Sequence, residues 1–264
     1  MIALSHLPSI SRHGTPCGHR TVLGGNVSLC RHRPSRRASA RTRCAAPLAP
    51  PLPHATLAEQ DHPEMDGAPP MKKLIGAVER LFPMPCPLVV GGTMEQADTL
   101  AVAWINVVAS TPPTIAMGLR ESRHTLELIR TNHSFTVNIP RADMADVVDY
   151  CGLATGRKTD KFAATGLTLT PSSLIDTPII AECPYNIECR VTSETQVGAY
   201  VLVLGEIVEV HAEQAILRDP DGDVIDIEAL DPLCYIAGSR EYRRLGERVA
   251  TAFEAGKRFM DDTD

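Results

Sequence analysis

A chain of 264 residues with 44% hydrophobic and 22% charged side chains has the make-up of a soluble globular protein, enough for one large domain or two small ones. One tryptophan and 4% aromatics argue against a nucleic-acid stacking surface, and no apolar stretch approaches the roughly 20 residues that a membrane-crossing helix needs. The charge is unevenly spread. Residues 1–58 hold eight arginines (Arg12, Arg20, Arg31, Arg33, Arg36, Arg37, Arg41 and Arg43), no lysine and no acid, so of the −6 on the whole chain a net −14 falls on residues 59–264. An acidic body of that kind repels nucleic-acid phosphates and anionic membranes alike.

In chain order, residues 1–70 show neither helical nor strand periodicity and are rich in Arg, Pro, Ser, His and Ala. They are expected to be disordered, because they cannot bury enough apolar surface to offset chain entropy. Two readings of this head stand side by side. Its Arg-rich, acid-free composition through residues 40–46 has the look of an organellar transit peptide; alternatively the protein starts at Met65 or Met71. Localisation is accordingly expected to be cytoplasmic, with a plastid or mitochondrion as the alternative through residues 1–45.

Order is expected from Leu74. A short amphipathic run (Leu74, Ile75, Val78, Leu81) leads to a strand over Leu88–Thr93 and, after a polar turn, to one long strand over Leu100–Ser110. Thr114–Leu119 alternates as a strand, Ser122 is placed to cap a helix over 123–130, and Ser134–Ile139 resumes strand character. Ala142–Cys151 reads as a helix with Val147 and Val148 inward, and Lys161–Ala164 as a short one ended by Gly166. Two long strands, 185–195 and 200–211, flank a Gly198 turn; Asp221-Gly222 signals a hairpin, 232–237 a last strand and 243–259 a helical tail. Strands outnumber helices and do not alternate with them one for one. That pattern argues for a closed antiparallel barrel with helical excursions, not a doubly wound sheet.

Several chemistries are excluded by what is missing. The chain has no G-x-x-x-x-G-K-[ST] phosphate loop, no G-x-G-x-x-G fingerprint and no G-x-S-x-G elbow. Six of nine histidines lie in the head, leaving His124, His133 and His211 too dispersed for a metal cluster, so no metal ligand is assigned. The acidic run Asp219–Asp223 has its Gly misplaced for a calcium loop and Leu230 where the closing Glu would stand. Five cysteines (Cys86, Cys151, Cys183, Cys189, Cys234) are scattered without a C-x-x-C pair and read as reduced, mostly buried thiols. Three more, Cys17, Cys30 and Cys44, lie in the head.

Leu100-Ala-Val-Ala-Trp104, Ser110-Thr111-Pro112-Pro113 and Gly118-Leu119-Arg120 open a collinear series. Ser122-Arg123-His124-Thr125, Phe135–Pro140, Asp149–Gly152, Thr155–Phe162, Cys183-Pro184, Ile187-Glu188-Cys189, Gly205–Val208 and Pro232–Tyr235 continue it. Together these resemble the flavin-reductase-like FMN-binding split-barrel family, most closely its flavoredoxin branch, over about 71–246, with 247–264 left as the tail. The resemblance implies a mainly β split barrel with a few short helices, a homodimer, and FMN held non-covalently near the subunit interface. It implies an oxidoreductase, an NAD(P)H-dependent flavin reductase that passes electrons to free flavin, a metal complex or a protein partner; a non-enzymatic FMN electron carrier is the alternative.

The chemistry of FMN suits the matched residues. Its dianionic phosphate calls for helix-start N–H groups, hydroxyls and cations, which Ser122, Arg123 and Thr125 offer. By resemblance Lys161 reaches the flavin, and Asp98, Trp104, Tyr200 and Leu233 line it, with Asn106 as a further hydrogen-bonding candidate. Relatives often carry Asn where Asp98 stands, His near Tyr200 and an aromatic near Leu233. No side chain is required as a nucleophile, because the cofactor supplies the chemistry.

Overall fold

The computed structural model describes residues 71–260. The reading of residues 1–70 as a leader, with Cys17, Cys30 and Cys44, falls outside the described residues.

Seven strands make the main sheet: β2 (Leu88–Gly92), β3 (Ala97–Ala101), β4 (Ile105–Ser110), β5 (Pro113–Arg120), β6 (Ser134–Ile139), β9 (Tyr185–Val197) and β10 (Tyr200–Ala212). They pair antiparallel throughout, in the order β3-β2-β6-β9-β10-β5-β4. The two edge strands, β3 and β4, are consecutive in the chain and separated only by Val102, Ala103 and Trp104. A flat seven-stranded sheet would hold its edges about 29 Å apart, whereas the link from Ala101 to Ile105 reaches about 14 Å at most. The sheet must therefore curl until its edges face each other. Within the link, Val102 N–H donates to Pro87 O (3.0 Å), before β2, and Gly118 N–H of β5 donates to Trp104 O (2.9 Å). The chain steps from one edge to the other without the two strands pairing. This is a split barrel, and the single strand expected over Leu100–Ser110 is two strands on opposite edges.

Alternation decides what fills it. Ile115, Met117 and Leu119 of β5 point inward with Val201 and Val203 of β10, Val89 of β2 and Phe135 of β6, all buried in one cluster. The opposite face of β2, Leu88 and Val90, packs into a second cluster with Cys86, Val148, Cys151, Ile180, Cys183 and Leu233. Helix α1 (His124–Asn132) lies against β2, and α2 (Ala145–Leu153) covers the second cluster with Val148 and Cys151 buried. Gly91 is what lets α1 sit so close, since a Cβ there would stand 2.8 Å from Thr125 O and from Ile129 Cγ1. Helices α3 (Lys161–Thr165) and α4 (Ile227–Leu230) and five short strands complete the architecture. These are β1 (Met84–Pro85), β7 (Leu169–Thr170) with β8 (Ile179–Ile180), and β11 (Cys234–Ile236), which pairs with both β1 and β12 (Glu241–Arg243).

Several local expectations change. Ser122 makes no cap: Arg123 occupies that position, with no side-chain hydrogen bond to the helix. The helical tail expected over 243–259 has Arg243 in β12, irregular chain after it, a turn over 252–256 and a 3-10 turn at Lys257–Phe259. Leu245, Val249, Phe253, Phe259 and Met260 are exposed there, and a helix that buries no face against the protein gains little from forming. The amphipathic run at Leu74–Leu81 is likewise without regular secondary structure and exposed. Asp221-Gly222 turns the chain beside a single bridge, Leu217 to Ile225, not a strand hairpin. The five cysteines between Cys86 and Cys234 are buried and unbridged, as expected, and burial pushes the thiols of Cys86 and Cys189 up to about 12 and that of Cys151 to about 11. No helix among the described residues is long and apolar enough to cross a membrane.

Glu188 is a fully buried carboxylate in β9, where it accepts from Ser173 N (2.6 Å) and Leu174 N (2.8 Å) and pairs with His211 Nε2 (2.6 Å). Burial alone would raise its pKa. The Ser173 amide, His211 and the Leu174 amide outweigh that and hold it below the usual carboxylate range. A depressed native pKa adds stability that is present above the unfolded value and lost as pH falls through the folded one. Acid titration of the unfolding midpoint should therefore show a loss beginning near pH 4, and Glu188→Gln should be less stable at neutral pH with a shallower acid slope. Parallel acid profiles for the two proteins would contradict this.

Candidate functional site

The split leaves a groove at the end of the barrel where β5 hands over to α1. Two adjoining cavities make it up. One, about 170 Å³, is walled by Leu100, Trp104, Gly118, Arg120, Arg123 and Tyr200, with Ala101 at the end of β3 and the crossing residues Val102 and Ala103. The other, about 190 Å³, is lined by Asp98, Arg120, Ser122, Arg123, Thr125, Thr155, Gly156 and Lys161, among others. Leu100, Arg120 and Arg123 border both, so the two halves are continuous.

Each wall has a local cause. Trp104 closes the crossing and is 39% exposed, its ring 4.8 Å from that of Tyr200 at 44°. Tyr200 opens β10 directly opposite Arg120, the last residue of β5, and the Arg120 guanidinium lies 5.2 Å from the Tyr200 ring centre. Arg120 O accepts from Arg123 N–H (3.0 Å), a tight turn that brings Ser122 and α1's uncapped first turn to the rim. Across from it, the loop before α3 supplies Thr155 and Gly156.

The floor is a buried ionic cluster. Lys161 Nζ stands 3.2 Å from Asp98 Oδ1 and donates to Thr99 O, and Thr125 Oγ1 donates to Asp98 Oδ2 at 2.6 Å. Asp98 is 4% exposed and Lys161 3%. One carboxylate thus ties β3 to the first turn of α1 and the first residue of α3. Gly156 rests against it so closely that a Cβ would fall 2.3 Å from the carboxyl. Asp160 caps α3 through Ala163 N–H (3.0 Å), which fixes where Lys161 begins.

At the rim the acids are already committed. Glu121 pairs with Arg130 (2.6 Å), which also holds Glu194 (2.8 Å), and Glu127 pairs with Arg157 and with His124 (3.1 Å). Hydrogen bonds from Arg157 and then His124 hold the Glu127 carboxyl below its usual range. Among the described residues neither Arg120 nor Arg123 has a carboxylate partner. A negative protein body therefore presents two uncompensated cations in one groove, which favours an anionic ligand.

Of the residues singled out from the sequence, Asp98, Trp104, Ser122, Arg123, Thr125, Lys161 and Tyr200 converge here. Two do not. Leu233 is 4% exposed in the second core and lines a separate apolar cavity with Pro85, Cys86 and Cys234, because it leads into β11, which pairs with β1 away from the groove. Asn106 lies exposed on edge strand β4 and accepts a hydrogen bond from Val107 N–H (2.8 Å). Arg120, Thr155 and Gly156 join them; Arg120's importance comes from its pairing with Tyr200, eighty positions away and invisible before β5 and β10 are docked.

Removing Lys161 would leave a carboxylate buried with a single hydroxyl for company. Lys161→Met should cost about 3–5 kcal/mol, and the double variant Asp98→Asn/Lys161→Met should recover part of it. Chemical denaturation of the three variants measures both; a double variant no better than the single one would rule out the coupling.

The flavin reductase like domain family matches residues 79–245. The flavoredoxin of Desulfovibrio vulgaris (Miyazaki F) superposes with a TM-score of 0.67 at 36% identity, covering 71% of this chain and all of that one. The flavoredoxin of Methanosarcina acetivorans gives 0.65 at 30%, covering 73% and again 100%. A protein of Archaeoglobus fulgidus is 30% identical over 138 residues, 52% of this chain and 77% of its own length. The fold thus has counterparts among solved relatives, and the chain belongs to the flavin reductase like domain family of flavin-related oxidoreductases.

Proposed function

We propose that the groove holds FMN and that the protein is an NAD(P)H-dependent flavin reductase, delivering electrons to free flavin, a metal complex or a protein partner. The observation that carries this is the pair of uncompensated arginines beside the hydroxyls of Ser122, Thr125 and Thr155, joined to an apolar and aromatic wall. Those residues fit FMN. Arg123, the hydroxyls and the free amides at the start of α1 suit a dianionic phosphate, and Leu100, Trp104 and Tyr200 suit a flat ring. When bound, FMN would supply the two-electron chemistry, accepting hydride from a nicotinamide and passing electrons on. The chain's own part is to bind and orient it and to set the charge around it, with Asp98 and Lys161 nearly cancelling at the floor.

The test is anaerobic mixing of purified protein, loaded with FMN, with NADH and with NADPH while the flavin absorbance is followed. Bleaching at a catalytic rate with either donor supports the reductase. A bound flavin that neither donor bleaches, but that a protein reductant does, supports the electron-carrier reading, which the two flavoredoxin relatives favour.

Arg123→Ala removes a charge-assisted hydrogen bond worth about 1.5–3 kcal/mol, so FMN affinity should fall about tenfold to a hundredfold with the midpoint potential hardly changed. Asp98→Asn should instead raise the potential, because electrons entering the ring would no longer face a carboxylate and Lys161 would lose its neutralising partner. Fluorescence titration followed by potentiometry separates the two, and an Arg123→Ala protein that binds FMN normally would refute the placement of the phosphate.

The working unit is proposed to be a homodimer. Edge strand β4 has five successive exposed, uncharged residues, Asn106–Ser110, with Val107 and Val108 each 57% exposed. An open apolar strand edge is a template for pairing, and a two-fold copy is the commonest way to cover such a face. Sedimentation at micromolar concentration should give a dimer, and Val108→Lys should shift it toward monomer; a wild-type protein that runs as a monomer overturns the proposal.

A further inference from the structure

FMN carries one phosphate, yet the groove offers two arginines without carboxylate partners, and they are placed differently. Arg123 stands with the hydroxyls of Ser122 and Thr125 at the start of α1. Both arginines border the two cavities, but Arg120 is the one on the aromatic side, with its guanidinium 5.2 Å from the Tyr200 ring centre and Trp104 beyond. Their strands hold the two side by side, since Arg120 and Tyr200 are cross-strand partners at the end of the β5–β10 ladder. A guanidinium braced by an aromatic face keeps its N–H edges available and loses less freedom on binding an oxyanion. The acid beside it in sequence, Glu121, is held by Arg130 instead. On a body carrying −14, a polyanionic co-substrate would be repelled unless the mouth of the site offered local positive charge.

We propose that Arg120, braced on Tyr200, is the specificity-determining anion contact for the electron donor, a nicotinamide dinucleotide recognised through its pyrophosphate, while Arg123 serves the phosphate of FMN. This rests on the FMN reading above and assigns the second cation of the same groove. Arg120 is a recognition group only: hydride passes from the nicotinamide to the flavin, and no proton or electron is transferred to or from the arginine.

The probe is ADP-ribose, which has the pyrophosphate but no nicotinamide to react, titrated calorimetrically into the FMN-loaded protein. Arg120→Ala should raise its Kd about tenfold or more while the Kd of FMN moves less than threefold, and Arg120→Lys should recover part of the loss by keeping the charge. In turnover, the selectivity for NADH over the phosphate-free donor 1-benzyl-1,4-dihydronicotinamide, taken as the ratio of kcat/KM values, should fall about tenfold in Arg120→Ala. The proposal is overturned if loaded wild-type protein does not bind ADP-ribose, or if Arg120→Ala binds it as wild type does. It is equally overturned if Arg120→Ala loses FMN as far as Arg123→Ala, which would make both arginines flavin-phosphate ligands. Wild-type protein that takes up no FMN at all is a different failure, that of the flavin reading itself.

Discussion

Three residues between Ala101 and Ile105 tie the opposite edges of a seven-stranded sheet, and a link that short leaves the sheet no choice but to curl. The barrel interior follows from the curl, because alternating residues of β5, β10, β2 and β6 then face one another across a common centre. So does the seam. Val102 bonds back toward β2 and Trp104 forward to β5, and the edges meet without a hydrogen-bonded ladder between them. The groove lies at that seam. Trp104 is half of the aromatic wall because it is the last residue of the crossing.

The second constraint is the carboxylate of Asp98 under the groove. Burying a charge is costly unless it is paired and hydrogen-bonded. Here Lys161 and Thr125 supply both, which fixes three elements at once: β3, the start of α1 and the start of α3. Gly156 is small because anything larger would meet that carboxyl. An ionic hub of this kind is a precise locator, and it sets the spacing between the hydroxyl-bearing turn at Ser122–Thr125 and the facing loop at Thr155. Its near-neutrality has a chemical consequence. The positive charge that a lone lysine would bring to the floor of the site is largely cancelled, leaving Arg120 and Arg123 to define how the groove treats anions.

Those arginines stand out because of what surrounds them. The described surface is rich in carboxylates, and around the rim they are consumed in pairs and triads: Glu121 and Glu194 on Arg130, Glu127 on Arg157 and His124. Exposed pairs of this sort add little to stability. Their effect on the groove is larger, since each acid engaged elsewhere is one that does not neutralise Arg120 or Arg123.

Much of the local structure was written in the sequence. Strands β5, β6, β9 and β10 follow from alternation and turn residues, and the end of α3 from Gly166; inward Val148 follows from helical spacing. The motif series singled out seven residues that the fold brings to one groove, because each lies in a short stretch at the end of a strand or the start of a helix. What pattern could not convey was anything set by contacts distant along the chain. The apolar run at Leu100–Ser110 reads as one strand, since its break costs no apolar residue and is imposed by two sets of strand partners. The tail over 243–259 has helical spacing but no surface to pack on within the described chain, so spacing alone misled. Leu233 belongs to the second core because β11 pairs with β1, and Arg120 becomes a site residue only when Tyr200 docks beside it. Short-range periodicity and capping chemistry determine elements; which elements become neighbours, and which charges are left without partners, depends on long-range pairing and burial that only the folded chain decides.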